Sequence, residues 1–200
     1  STPAELKHMK RLLQQSLEEG AFGFSTGLEY DSEAACPEGE IIDLCRTVAE
    51  TGGFYATHTR NRDGEAEETI AEAIRTGVAA EVPLQISHIS VVARLVEDGR
   101  WAVEQALQQV DQARREGLDI GFDMHTRLFG TTNLSAVLPS WALEGGAEAL
   151  AARLGDPRAR KRMKEFQSIL SAGNDWGRVV LFDNARWPEY ARRSIADIAE

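Results

Sequence analysis

Two of the four histidines in this 200-residue sequence stand in FYATHT (54–59) and PLQISHIS (83–90), thirty residues apart and each near the end of an apolar run. Imidazole is the commonest neutral metal ligand, and two of them on rigid strands suit zinc, whose sites combine His with Cys or carboxylate. Zinc lowers the pKa of its bound water to about 7, which makes amide or ester hydrolysis feasible near neutrality. His58 and His88 are therefore candidate ligands of one metal, and a shared zinc would hold their nitrogens ~3–4 Å apart. Either histidine alone would read as a hydrogen-bonded core residue. A third polar strand end follows in LDIGFDMH (118–125), where Asp123 reads as a hydrogen-bond partner for a ligand histidine. His125 reads as an orienting or substrate-contacting group ahead of a direct ligand. His8 falls on a helix-patterned segment and reads as a surface residue.

The elements that must position these groups alternate. Thr2-Pro3-Ala4-Glu5 has the form of a capping box with Pro at the first helical position, and Leu6, Met9, Leu13 and Leu17 recur at helical spacing up to Gly20. AFGFS (21–25) reads as a strand that runs into the loop TGLEY. The unit repeats: a helix over 41–49 and strand 54–59, a helix from Ala66 to Ala80 and strand 83–90, a helix from Trp101 to Glu116 and strand 118–125. Two more helices are predicted from ALEGGAEALAARLG and from 156–170, then a fifth strand, RVVLFD (178–183), and a truncated helix. Intervals near thirty residues between the first strands imply βα units and a parallel sheet. The spacing FGFSTG is not the GxGxxG of a dinucleotide-binding sheet, so polar groups at successive strand ends favour a (β/α)₈ barrel.

Composition narrows the rest. Apolar content of 42% and charged content of 27% describe an ordinary globular chain long enough for one sizeable core. A net charge of -10 disfavours nucleic acid and anionic membrane surfaces as partners. No apolar run approaches the ~20 residues of a membrane span. Cys36 and Cys45 form no CxxC pair and read as two reduced thiols of a cytoplasmic protein. The start, STPAELKHMK, has neither initiator Met nor signal-peptide pattern and is expected to be an interior cut of a longer parent.

GAFGFSTGLEY, FYATHTRNRDG, VPLQISHIS, FGTTNLSAVLPSWALEGG and GNDWGRVVL, in this order through essentially the whole chain, resemble the N-acyl-D-amino-acid deacylases (D-aminoacylases) of the amidohydrolase superfamily. STGLEY and the THxR…ISH pair are the specific parts. The resemblance implies a zinc hydrolase that cleaves small N-acyl-D-amino acids to a carboxylate and a D-amino acid. It also implies that residues 1–200 are the central part of the catalytic barrel, a partial (β/α)₈ TIM barrel. By the same resemblance, His58 and His88 hold the zinc and Tyr30 contacts substrate. A Tyr phenol there could donate to a carbonyl oxygen as charge develops on it.

Departures from the family pattern locate the differences. The family's ligand cysteine and its HxH motif would lie before Ser1, and its catalytic aspartate beyond Glu200; Cys36 does not match the ligand cysteine. Ser90 stands where the family often has Lys. Arg127, in DMHTRLFGTTNL, could take over a substrate carboxylate, which guanidinium binds in a bidentate way. Thr131 and Asn133 fall where the family places hydroxyl contacts to substrate. The rival readings are a cyclic-amide hydrolase of the hydantoinase or dihydroorotase kind and a non-catalytic partial barrel. The first usually carries a bridging lysine, which GAFGFS does not offer.

Overall fold

The structure, a computed structural model, describes residues 1–30, 33, 35–60, 66–89, 99–126, 129–166 and 175–200. The chain divides into two compact units, Ser1–Leu128 and Phe129–Glu200.

In the first unit Thr2 opens α1 (Pro3–Glu18): its hydroxyl accepts from the Glu5 amide and the Glu5 carboxylate accepts from the Thr2 amide at 2.7 Å. Both caps satisfy amides that a helix start leaves orphaned. Gly20, at φ +110°, takes the left-handed conformation that ends the helix at little steric cost. The chain then alternates through β1 (Gly23–Gly27), α2 (Glu38–Ala49), β2 (Phe54–His58), α3 (Ala66–Ala80), β3 (Leu84–Ile86), α4 (Gly99–Arg115) and β4 (Ile120–Phe122). All neighbouring strands are parallel, and their spatial order β1-β2-β3-β4 is the order in sequence.

That order decides between the two parallel-sheet folds. A doubly wound sheet reverses direction at a switch point and carries helices on both faces. Here every crossover advances one strand the same way, and α1 packs on α2, α2 on α3 and α3 on α4. Right-handed crossovers of that kind lay all helices on one face, as in a barrel wall. The fold is a partial (β/α)₈ barrel.

Side-chain alternation matches the one-sided cover. Tyr55, Thr57, Leu84, Ile86 and Ile120 are buried toward the helices against Ile41, Val48, Ile70 and Val110. Burial of each such large aliphatic side chain contributes ~1.5–3 kcal/mol relative to leaving it in water. The other face carries Phe54 at its start and then small and polar side chains: Ser25, Gly27, Ala56, His58, Gln85 and Gly121.

Strands are shorter than the apolar runs predicted. Ala21 still bonds back to Ser16 at 3.0 Å, so the exit from α1 consumes the first residues of AFGFS. At the other end Ser87 and His88 form a turn rather than extending β3.

The second unit contains a 3₁₀ turn at Leu134–Val137 and helices α5 (Ser140–Leu143), α6 (Gly146–Gly155), α7 (Pro157–Lys164) and α8 (Ile195–Ala199). The run ALEGGAEALAARLG makes two helices because Gly145, at φ +81°, turns the chain between them. The predicted strand 178–183 is corrected: it forms a single antiparallel bridge, Val180 to Ser194. Its amides and carbonyls bond to the returning 192–195 segment, with Leu181 N on Arg193 O at 2.9 Å. An apolar run encodes an extended chain, but a ladder requires a neighbouring strand, and among the described residues none pairs along it. No helix of the described residues is long and apolar enough to cross a membrane.

Candidate metal centre

The register aligns Gly27 with His58 and Thr57 with Ile86. His58 is thus level with Ser87, and strict alternation would send His88 to the opposite, helix-covered side. It does not go there. His88 lies beyond the end of β3 at φ +42°, a left-handed conformation unusual for a residue with a Cβ, and this turn brings its ring back to His58. His58 Nδ1 and His88 Nε2 approach to 2.7 Å, with ring planes at 68°. The distance is below the 3–4 Å expected from the sequence. It is that of a hydrogen bond between one nitrogen bearing a proton and one lone pair.

Around this pair stand groups that fix it. Glu29, in the loop after β1, places Oε2 2.7 Å from His58 Nε2. Its other oxygen, Oε1, is buried with no hydrogen-bond partner among the described residues. Asp123 Oδ1 accepts from the backbone N–H of His88 at 2.7 Å and lies 3.9 Å from its Nδ1. Gln85 Nε2 donates to Asp123 Oδ2 at 3.0 Å. The His125 ring lies against His88 with centroids 4.9 Å apart, and the half-exposed Tyr30 ring against His58 at 5.0 Å. The structure therefore brings Tyr30, His58, His88, Asp123 and His125 together. Arg127 and Ser90 lie outside the described residues, and Thr131 and Asn133 are exposed in the second unit.

Glu29 and Gln85 are absent from the sequence reading. A loop acid beside a candidate Tyr reads as solvated, and a Gln within a strand reads as an ordinary polar position. The signal for Glu29 was its place: two residues past Gly27, the register partner of His58.

The donor chemistry fits a divalent cation. Two imidazole nitrogens meet beside a carboxylate with an unsatisfied buried oxygen, and a cation would give that oxygen a partner. Nitrogens sharing a tetrahedral zinc stand ~3.3 Å apart, so the rings need part only by roughly half an ångström. Among the described residues no third His, Cys, Asp or Glu completes a set of three. Cys36 is not a candidate: its thiol donates to Glu40 at 3.1 Å, and burial with the Glu40 carboxylate pushes it up to about 11. His8 is exposed beside Arg11, as predicted.

The chain is 32% identical over 134 residues to a D-aminoacylase of Alcaligenes xylosoxydans xylosoxydans, an alignment covering 67% of this chain and 27% of that protein. It superposes over its whole length on 34% of a D-aminoacylase structure described for its binuclear metal center, at 26% identity and a TM-score of 0.70. The chain belongs to the N-acyl-D-amino-acid deacylase family. A zinc and phosphonate-inhibitor complex of the N-acyl-D-glutamate deacylase from Bordetella Bronchiseptica has the same fold over the whole chain and 34% of its own length, with a TM-score of 0.73 at 23% identity. No family model matches. The chain thus spans about a quarter to a third of the deacylases it resembles.

Proposed function

We propose that residues 1–200 are the central part of the catalytic barrel of a zinc-dependent amide hydrolase that removes the acyl group from N-acyl-D-amino acids. The observation that carries this reading is the convergence of His58 Nδ1 and His88 Nε2 at 2.7 Å, at the carboxyl ends of adjacent parallel strands. That end of a barrel is where active sites are assembled. The kinship with D-aminoacylases supplies the reaction class.

Within this reading His58 and His88 hold the metal from two strands. Zinc in such a site supplies Lewis acidity toward an amide carbonyl and a water that ionises near neutrality. Glu29 accepts the Nε2 proton of His58, and Asp123 keeps the His88 backbone in its turn. Tyr30, beside His58, donates its phenol hydrogen bond to the carbonyl oxygen as charge grows on it. Arg127, with Thr131 and Asn133, receives the carboxylate and polar end of the small-molecule substrate. Two protein donors alone bind zinc weakly, so the chain by itself is expected to show little hydrolysis. The two reduced thiols accord with a cytoplasmic setting.

The test is zinc titration together with hydrolysis of N-acetyl-D-amino acids, on this chain and on a longer protein containing it. Zinc-dependent activity in the longer protein that disappears in His58→Ala and in His88→Ala supports the reading. Activity that survives the double substitution overturns it.

A further inference from the structure

Glu29 is held unusually well for a loop acid. The residue before it, Leu28, is 5% exposed and its amide bonds to His58 O at 2.9 Å, prolonging the β1–β2 ladder by one step. The residue after it, Tyr30, bonds back to Gly27 O at 3.0 Å. Gly27 N in turn donates to the Glu33 carboxylate at 2.5 Å. The Glu29 backbone is therefore fixed on both sides, and its carboxylate is delivered to His58 Nε2 at 2.7 Å with the side chain only 19% exposed.

An ionised carboxylate can only accept, so the hydrogen of that bond sits on His58 Nε2. In a neutral imidazole the lone pair is then on Nδ1, the nitrogen that faces His88 Nε2. We propose that Glu29 is a positioning residue: it fixes the Nε2–H tautomer and the ring orientation of His58, so that Nδ1 is presented as a donor toward the point shared with His88. The inference rests on the metal reading for its purpose, but the tautomer itself is a property of the protein alone. A carboxylate behind a ligand histidine also raises the basicity of the donor nitrogen, and loss of such a partner typically weakens metal binding ~10–100-fold.

Long-range ¹H–¹⁵N spectra of the imidazoles of the full chain, recorded without metal, read the tautomer directly. The expected result is that His58 carries its proton on Nε2 in the wild type and loses that fixed state in Glu29→Leu. A wild-type His58 protonated on Nδ1 alone overturns the proposal. This reading needs no variant, so it decides the matter even where Glu29→Leu does not fold. Zinc titration by competition with a chromophoric chelator gives the second readout. Glu29→Leu is expected to bind ~10–100-fold more weakly. Glu29→Gln, whose amide oxygen can still accept from Nε2, is expected to keep the tautomer and to recover at least part of that loss. Equal zinc affinity and an unchanged tautomer in Glu29→Leu overturn the positioning role. If the longer protein containing this chain takes up no zinc while His58 remains Nε2–H and Glu29→Leu releases it, the metal reading fails and the positioning of His58 stands.

Discussion

The Asp123 carboxylate accepts the backbone N–H of His88 at 2.7 Å, and His88 is the residue whose left-handed φ of +42° brings its ring to His58. Backbone conformations of this kind cost ~1–3 kcal/mol and persist only where their surroundings enforce them. Asp123, itself tied to Gln85 on the neighbouring strand at 3.0 Å, is the enforcing group on that side. Asp123→Ala removes a charge-assisted hydrogen bond that is partly open to solvent, and a loss of about 1 kcal/mol is expected. The melting temperature should fall by roughly 2–4 °C, and zinc affinity by more than that small loss alone implies, because His88 is released from its turn. An unaltered zinc affinity in a folded Asp123→Ala protein would show that the turn is self-sustaining.

Much of this site was legible in the sequence, but not this turn. Helix stops, capping residues and apolar periods placed α1, α3 and the order of the βα units, and the thirty-residue interval between His58 and His88 pointed to neighbouring strand ends. The interval alone contains a parity error: in the observed register it sets the two histidines on opposite faces, and only a local left-handed residue reconciles them. Local backbone strain leaves no compositional trace. The 178–183 segment failed for the converse reason, since its apolar run was legible while its pairing depends on residues far along the chain. Glu29 was hidden because a loop acid becomes informative only when the register shows what it stands beside.

Two glycines of β1 separate backbone from side-chain constraint. A Cβ on Gly23 would sit 2.0 Å from the Phe54 carbonyl oxygen, a backbone atom of the paired strand that cannot yield without parting the sheet. A Cβ on Gly27 would meet the Tyr30 ring at 2.7 Å, and that ring is half exposed and can rotate away. Gly23→Ala is therefore expected to lose ~3 kcal/mol or more, or to yield insoluble protein. Gly27→Ala should cost only ~1 kcal/mol in chemical denaturation and act instead on catalysis in the longer protein, through a displaced Tyr30. Similar denaturation midpoints for the two variants would contradict this assignment.

Alkaline stability follows from three buried or half-buried acids. Burial pushes the Tyr55 phenol up to about 12, against hydrogen bonding from Thr26, which lowers it. Burial likewise pushes Cys45 up to about 12, and burial with the Glu40 carboxylate pushes Cys36 up to about 11. Each folded-state value lies above the unfolded one, so the folded protein holds these protons more tightly. The resulting stabilisation is fully present below pH ~9 and is lost as pH rises from about 9 to 12. Urea unfolding between pH 8 and 11 should show that decline. Tyr55→Phe should make the limb above pH ~10 shallower, at a cost of ~1 kcal/mol near neutrality for the lost bond to Thr26 at 2.7 Å. Both thiols should also alkylate far more slowly than a free cysteine at pH 8 until the protein is unfolded.

Arg60, two residues past His58, anchors the chain as it leaves β2. Its Nε bonds both carboxylate oxygens of Glu72 on α3 at 2.9 Å, and one terminal nitrogen bonds the Cys36 carbonyl at 2.6 Å. Both side chains are mostly buried, at 17% and 13% exposure, so removing Glu72 takes from Arg60 a bidentate carboxylate that water replaces poorly. Glu72→Ala is expected to cost ~3 kcal/mol, and Glu72→Gln less, since the amide oxygen retains one acceptor. The double variant Arg60→Met, Glu72→Leu should be more stable than Glu72→Ala alone, because it removes both charges of the pair together. Thermal unfolding of the four proteins measures this directly. A double variant less stable than Glu72→Ala would mean that the ion pair does not anchor the His58 strand end.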